Sequence, residues 1–227
     1  MLDLDMSDIL LAKDRRKYNK LAFYFPDFGH LRRELYAKHL EFFAQGAVHR
    51  ERLFMAANRV GKTESAGGYE LALHLTGQYP SWWKGKQFGN SIQAWASGDT
   101  AKTTRDILQA KLLGPVHDLG SGLIPKDCIA GTSRKAGVPD AFETVLVRNI
   151  WGGVSTLSLK SYDQGRRSFQ GTEQDVIWLD EECPMDIYNE CVIRTMTTNG
   201  IVMITFTPLL GLTPLVLSFL PEYAPNE

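Results

Sequence analysis

Residues 56–63 read Ala56-Ala57-Asn58-Arg59-Val60-Gly61-Lys62-Thr63. The segment departs at one position from G-x-x-x-x-G-K-[ST], the loop whose backbone N–H groups cradle the phosphates of a nucleotide. Ala56 stands where the pattern has glycine, so a methyl group must fit the turn that opens the loop. On this pattern Ala57, Asn58, Arg59, Val60, Gly61, Lys62 and Thr63 form the nucleotide-binding loop. The N–H groups over 58–63 would surround the β-phosphate, helped by the positive end of the following helix. Lys62 would reach the β- and γ-phosphates, and the Thr63 hydroxyl would hold magnesium. Taken alone, Gly61-Lys62-Thr63 also reads as the ordinary start of a helix, so the flanking sequence has to decide.

The flanks give the loop its expected setting. Glu51 to Ala56 is a short apolar run that fits a buried strand, and Gly61 to about Leu75 reads as a helix stopped by Gly77. A second buried strand is expected over 93–98, then a helix over 100–113 stopped by Gly114-Pro115. Residues 114–140 are rich in Gly and Pro and are expected to be irregular. The runs 143–149 and 155–162, joined through Trp151-Gly152-Gly153, predict a hairpin. A buried strand over 175–180, a helix over 185–196 and a strand over 200–206 follow. Alternating strands and helices predict an α/β P-loop NTPase with a mainly parallel central sheet flanked by helices. Ligands in such sheets sit beyond the carboxyl ends of the strands. Upstream, residues 7–45 carry helical spacing, with Leu31, Leu35, Leu40, Phe42 and Phe43 expected on one face. The layout is therefore an N-terminal helical segment (1–45), a P-loop ATPase core (46–215) and a Pro-containing linker (216–227).

The bulk numbers fit an enzyme better than a nucleic-acid coat. The 227 residues carry 25 Lys and Arg against 26 Asp and Glu, a formal net charge of −1. Any DNA-binding surface must be local, and the run Lys13 to Lys20 is one candidate beside its plainer reading as a solvated helix face. The three cysteines, Cys128, Cys183 and Cys191, form no C-x-x-C pair and are expected to be reduced. No apolar run reaches membrane-spanning length and the N-terminus does not read as a signal peptide, so a soluble, cytoplasmic protein is expected.

A second motif shifts the reading toward catalysis. Val176-Ile177-Trp178-Leu179 is followed by Asp180-Glu181-Glu182. A buried strand would deliver Asp180 to the sheet edge to hold magnesium, and the next acid would polarise the attacking water. Glu181 takes that role by position, with Glu182 as the alternative. Arg59, inside the loop, could meet charge developing on the γ-phosphate. At the end of the last strand, Thr205 and Thr207 could sense hydrolysis and pass it on.

Together these residues carry a resemblance. AANRVGKT, then SYDQGRRSFQGTEQDVIWLDEE, then ITFTPLLG, with GSGLIPKDCI at 120–129, resemble the ATPase domain of the large terminase subunit of tailed bacteriophages. The similarity covers roughly residues 35–215. It implies a RecA-like ATPase of the additional-strand class, binding ATP and Mg²⁺, with Asp180 on the metal, Glu181 as the catalytic glutamate and Arg59 as the loop arginine. It also implies Thr205 and Thr207 as the coupling motif, and Gln45 as a glutamine contacting adenine. The segment 165–171 is implied to hold a trans-acting arginine or a DNA contact.

The function implied is a motor that drives viral double-stranded DNA into a procapsid. Its partners would be the DNA, the portal protein, the small terminase subunit and further copies of itself in a ring, with no membrane involved. It would work in the host cytoplasm, transiently at the portal, and would not stay in the mature virion. The sequence shows no later acidic cluster of the kind a nuclease domain carries, so no DNA cleavage is expected from it. Two other readings share the nucleotide motifs: a helicase-like ATPase, which would separate strands, and a nucleotide-gated scaffold with poor turnover, which DNA and portal would not stimulate.

Overall fold

The apolar runs lie side by side in one seven-stranded sheet of the computed structural model, which describes residues 6–209 and 211–220. In chain order the elements are α1 (Met6–Tyr18), α2 (Ala37–Gln45), β1 (Glu51–Met55), α3 (Tyr69–Thr76), β2 (Gln93–Gly98), α4 (Ala101–Thr103), α5 (Ala110–Leu113), β3 (Ile129–Arg134), β4 (Phe142–Arg148), β5 (Val154–Ser161), β6 (Val176–Asp180), α6 (Met185–Arg194), β7 (Ile201–Phe206) and α7 (Pro214–Ser218). Two π-helical turns, Lys62–Gly68 and Thr104–Gln109, run directly into α3 and α5. The strand order is β1-β7-β6-β2-β5-β4-β3. Strands β1, β7, β6, β2 and β5 are parallel, and β4 and β3 add antiparallel at the far edge.

Both faces of the parallel part are covered, so its strands are apolar on both sides. Side chains alternate between the faces. Val176 and Trp178 of β6, with Ile201 and Met203 of β7, join the core under α2 and α3. Ile177 and Leu179, with Val202, Ile204 and Phe206, join a second core under α6 and α7. The register sets Met55 beside Phe206 and Asp180 beside Thr205. The carboxyl ends of β1, β7 and β6 therefore lie abreast, and the polar residues that follow them meet.

Helix α3 is buried along its whole length, including Glu70 and His74. Such groups need partners in the interior. Arg52 of β1 reaches Glu70 through both terminal nitrogens, at 2.7 and 3.1 Å, and also donates to the Phe42 carbonyl at 2.6 Å. His74 closes the cluster, with Nε2 3.2 Å from Glu70 and Nδ1 2.9 Å from the Tyr79 hydroxyl. Gly77, at φ 73°, ends the helix as expected.

Three stretches differ from the sequence reading. Residues 114–140, expected to be irregular, contain β3, an edge strand with mostly exposed residues and two register shifts. With one neighbour and one covered side it needs no apolar run, so composition hides it. In the N-terminal segment Leu31 and Leu35 are exposed, while Leu21, Phe25, Phe42 and Phe43 enter the core. Between α1 and α2 the chain passes through 3₁₀ turns and bends around Pro26 and Gly29, so 31–36 are out of phase with α2. Of the linker stretch 216–227, residues 216–218 close α7, whereas 221–227, like 1–5 and Leu210, lie outside the described residues.

Candidate functional site

The loop after β1 keeps its first residue in the sheet. Ala56 N–H donates to the Phe206 carbonyl at 3.3 Å, and its φ is ordinary and negative, so glycine is not required there. The left-handed positions come later, at Arg59 (φ 65°) and Gly61 (φ 86°). Gly61 is tight as well as left-handed, since a Cβ there would stand 2.9 Å from Ser65 Oγ. Lys62 is buried, and its ammonium donates to the Ala57 carbonyl and to Thr207 Oγ1, both at 2.7 Å. The Thr207 hydroxyl in turn donates to Asn58 Oδ1 at 2.8 Å. A residue of the last strand end is thus tied to both ends of the loop. Arg59 is exposed.

Strand β6 carries Asp180 to the same place. Its carboxylate is 4% exposed. Thr63 Oγ1 lies 3.1 Å from each of its oxygens, and the Thr205 hydroxyl donates to Oδ1 at 2.6 Å. Burial pushes the Asp180 carboxyl up to about 7, with the Glu181 charge adding to the rise; the Thr205 and Thr63 hydroxyls and Lys62 pull against it. Thr205 is fully buried and faces Asp180, while Thr207 faces the loop, so the two threonines expected at the strand end have different partners.

The two candidate glutamates separate in space. Glu181 takes a left-handed turn (φ 66°) and its N–H donates to the Thr205 carbonyl at 2.8 Å. Burial raises its carboxyl, Lys62 opposes the rise and Asp99 adds to it. Glu181 therefore shares the electrostatic environment of the loop lysine. Glu182 turns the other way and accepts from the hydroxyl of Thr213, the N-cap of α7. Tyr162, buried at the end of β5, donates to the Asp180 carbonyl at 2.9 Å and braces this turn from beneath.

Gln45 is exposed at the end of α2 and lines a groove beside the loop with Met55, Ala56, Val216 and Phe219. In the segment 165–171, Arg166 bonds Glu190 at 3.0 Å, and Glu190 also pairs with Arg194 at 2.9 Å. Arg167 is exposed. All three cysteines are free and buried, as expected.

Thr63 and Asp180 offer hard oxygen donors side by side at the head of the loop, a set that suits Mg²⁺, which takes few protein ligands beside substrate phosphates. Among the described residues no group of three or more His, Cys, Asp or Glu could hold a metal ion instead. Sequence reading missed Trp178 and Tyr162, whose polar tips support the site from within the core. The available signal was an aromatic residue with a hydrogen-bonding tip inside a buried strand or at its end.

Comparison with known proteins bears on the family and the fold. The family model described as "Terminase large subunit, T4likevirus-type, N-terminal" matches residues 53–226. The large terminase subunit of Salmonella phage P22 is 35% identical over 212 residues, covering 85% of this chain and 42% of that protein. The chain thus spans less than half the length of this curated relative. Among solved structures, the large terminase ATPase domain of Thermus phage P74-26 superposes with a TM-score of 0.53 at 16% identity, over 86% of this chain and 69% of that one. A point mutant of the same domain gives 0.55 at 15% identity, with the same coverage. At such identity these structures speak to the fold, which they share. Among the described residues no helix is long and apolar enough to cross a membrane.

Proposed function

The chain belongs to the terminase large subunit family, T4-like type, as its N-terminal part, and from that premise we propose that it hydrolyses ATP with Mg²⁺ to drive viral double-stranded DNA into a procapsid. The observation that carries this reading is the convergence of three strand ends: Lys62 on Ala57 and Thr207, and Thr63 with Thr205 on Asp180.

In this reading the N–H groups of Ala57 to Thr63 and the Lys62 ammonium bind the β- and γ-phosphates. Thr63 and Asp180 would hold Mg²⁺, which would supply neutralisation of phosphate charge. Lys62 leaves the Ala57 carbonyl and Thr207 for the nucleotide, which frees Thr207 and Asn58 to report its arrival to β7. Glu181 orients the attacking water and takes its proton; a carboxyl raised by burial is a better base than an exposed one. The engagement of Glu182 with Thr213 supports Glu181 in this role. Arg59, exposed on the loop, meets charge on the γ-phosphate. Gln45 reads the adenine edge from its groove.

The strand-end threonines would then convert phosphate release into a shift of the sheet against a DNA-gripping surface. The partners are the DNA, the portal, the small terminase subunit and further copies of the chain in a ring, in the host cytoplasm at the portal.

The test is steady-state ATP hydrolysis with nucleotide binding measured in parallel. Lys62→Ala should lose binding, and Glu181→Gln should bind ATP yet turn over about 10²–10⁴-fold more slowly. A Glu181→Gln protein that hydrolyses like the wild type would sink the assignment of the base. A wild type that binds no ATP would sink the whole reading.

A further inference from the structure

The Asp180 carboxylate has a support that no motif contains. The Trp178 indole Nε1 lies 2.8 Å from Thr205 Oγ1, and Thr205 Oγ1 lies 2.6 Å from Asp180 Oδ1. An indole N–H can only donate. The Thr205 oxygen therefore accepts from the indole, and its own proton is left for the carboxylate. We propose that Trp178 is a positioning residue: by occupying the Thr205 oxygen as acceptor, its indole N–H commits the Thr205 proton to Asp180 and so fixes the carboxylate that faces Thr63.

The placement follows from the sheet. Trp178 and Asp180 are two residues apart on β6 and share a face. Asp180 pairs with Thr205 and Trp178 with Met203, so the indole crosses diagonally to Thr205 on the same face. The ring is fully buried, which leaves it no freedom to swing away. Its slot is cut from the helix that follows the loop. A Cβ at Gly67 would overlap indole Nε1 and Cε2, and one at Gly68 would stand 3.6 Å from Cη2. Gly67, beneath the phosphate loop, thus admits the one side chain whose N–H sets the hydroxyl, while at Gly68 the indole is in ordinary contact. Without that N–H the Thr205 hydroxyl is free to rotate, and its bond to Asp180 is no longer held in one direction.

The proposal rests on the reading of Asp180 as the magnesium carboxylate, and the test separates the two. First, indole N–H signals are recorded by NMR on ¹⁵N-labelled, nucleotide-free protein, which has five tryptophans. The Trp178 signal is assigned by its loss in Trp178→Phe. It should move in Thr205→Val and return to its wild-type position in Thr205→Ser. Second, Mn²⁺ affinity in the presence of ADP is measured by electron paramagnetic resonance for the wild type, Trp178→Phe, Thr205→Val and the double variant. Each single variant should weaken Mn²⁺ binding about three- to tenfold, the effect of one hydrogen bond. The double variant should bind no more weakly than Thr205→Val alone, because Trp178 acts through Thr205.

Additive losses in the double variant would mean that Trp178 merely packs, and the proposal would fall. Wild-type affinity in Trp178→Phe would overturn it equally. If Trp178→Phe does not fold, the Thr205 pair decides. Serine should keep both the wild-type indole position and the affinity, and valine should shift the first and weaken the second; valine with wild-type affinity overturns the proposal. A wild type that binds no Mn²⁺ with ADP overturns the nucleotide reading and the proposal with it, even with the indole signal shifting in Thr205→Val.

Discussion

Two buried carboxylates, one on the helix that follows the phosphate loop and one at the far end of β6, live by opposite rules. Glu70, at the base of α3, is fully buried and carries its own cation. Burial alone would raise its carboxyl, but the Arg52 guanidinium and His74 outweigh burial and hold it below the usual range. Asp180, at the end of β6, is nearly as buried, yet its immediate partners are two hydroxyls, and it is raised to about 7. The first charge is neutralised within the fold. The second is oriented but left without a cation of its own in bonding contact, as a carboxylate would be if it served a cation that comes and goes. The contrast sets an acid neutralised within the fold apart from one left open to a mobile cation, the place the proposed function gives Asp180.

That contrast can be broken, and the largest effect should be on turnover. Asp180→Asn should lower kcat about 10²–10³-fold, the scale of removing one electrostatic contributor, whereas Glu70→Gln protein that folds should keep a near-wild-type rate. Comparable losses in the two variants would erase the distinction. Next comes stability. Arg52→Ala strands the Glu70 charge in the interior and should cost about 3–5 kcal/mol by urea unfolding. A smaller loss, near that of a surface substitution, would mean that Glu70 protonates cheaply.

The third test is pH. The folded Asp180 value of about 7 lies above the ordinary aspartate value of 3.8. Its contribution to stability is therefore complete below about pH 4 and lost as pH rises through 7. Without nucleotide or metal, Asp180→Asn should melt higher than the wild type at pH 8, and the gap should close toward pH 4. A gap of equal size at both pH values would point to packing instead. The smallest effect should be Thr205→Ser, which keeps the hydroxyl and should stay within about 1 kcal/mol of the wild type in stability.

What the sequence revealed and what it hid follow one rule. The loop 56–63 and the run 176–182 were legible because their chemistry lies on consecutive residues. The different settings of Glu181 and Glu182 were not, because they depend on a left-handed φ at 181 and on Thr213, which is far away in the chain. The Arg52–Glu70–His74 cluster was invisible for the same reason: its members sit on two elements, and a charged residue inside a helical pattern reads as a solvated face. The Trp178 indole looked like plain core. Leu31 and Leu35 misled because the pattern was read as one helix across Pro26 and Gly29, where the chain changes phase.

The fit of the Trp178 ring against Gly67 has a consequence for how this chain can change over generations. Any side chain at 67 collides with the indole, and a smaller residue at 178 leaves a cavity under the loop for as long as 67 stays glycine. A side chain at 67 is therefore not acceptable first, whereas a smaller ring at 178 costs packing but opens the room that a side chain at 67 needs. The two positions are thus coupled with an order, and a library that varies 67 alone should recover only glycine, while one built on Trp178→Phe should begin to admit small residues there.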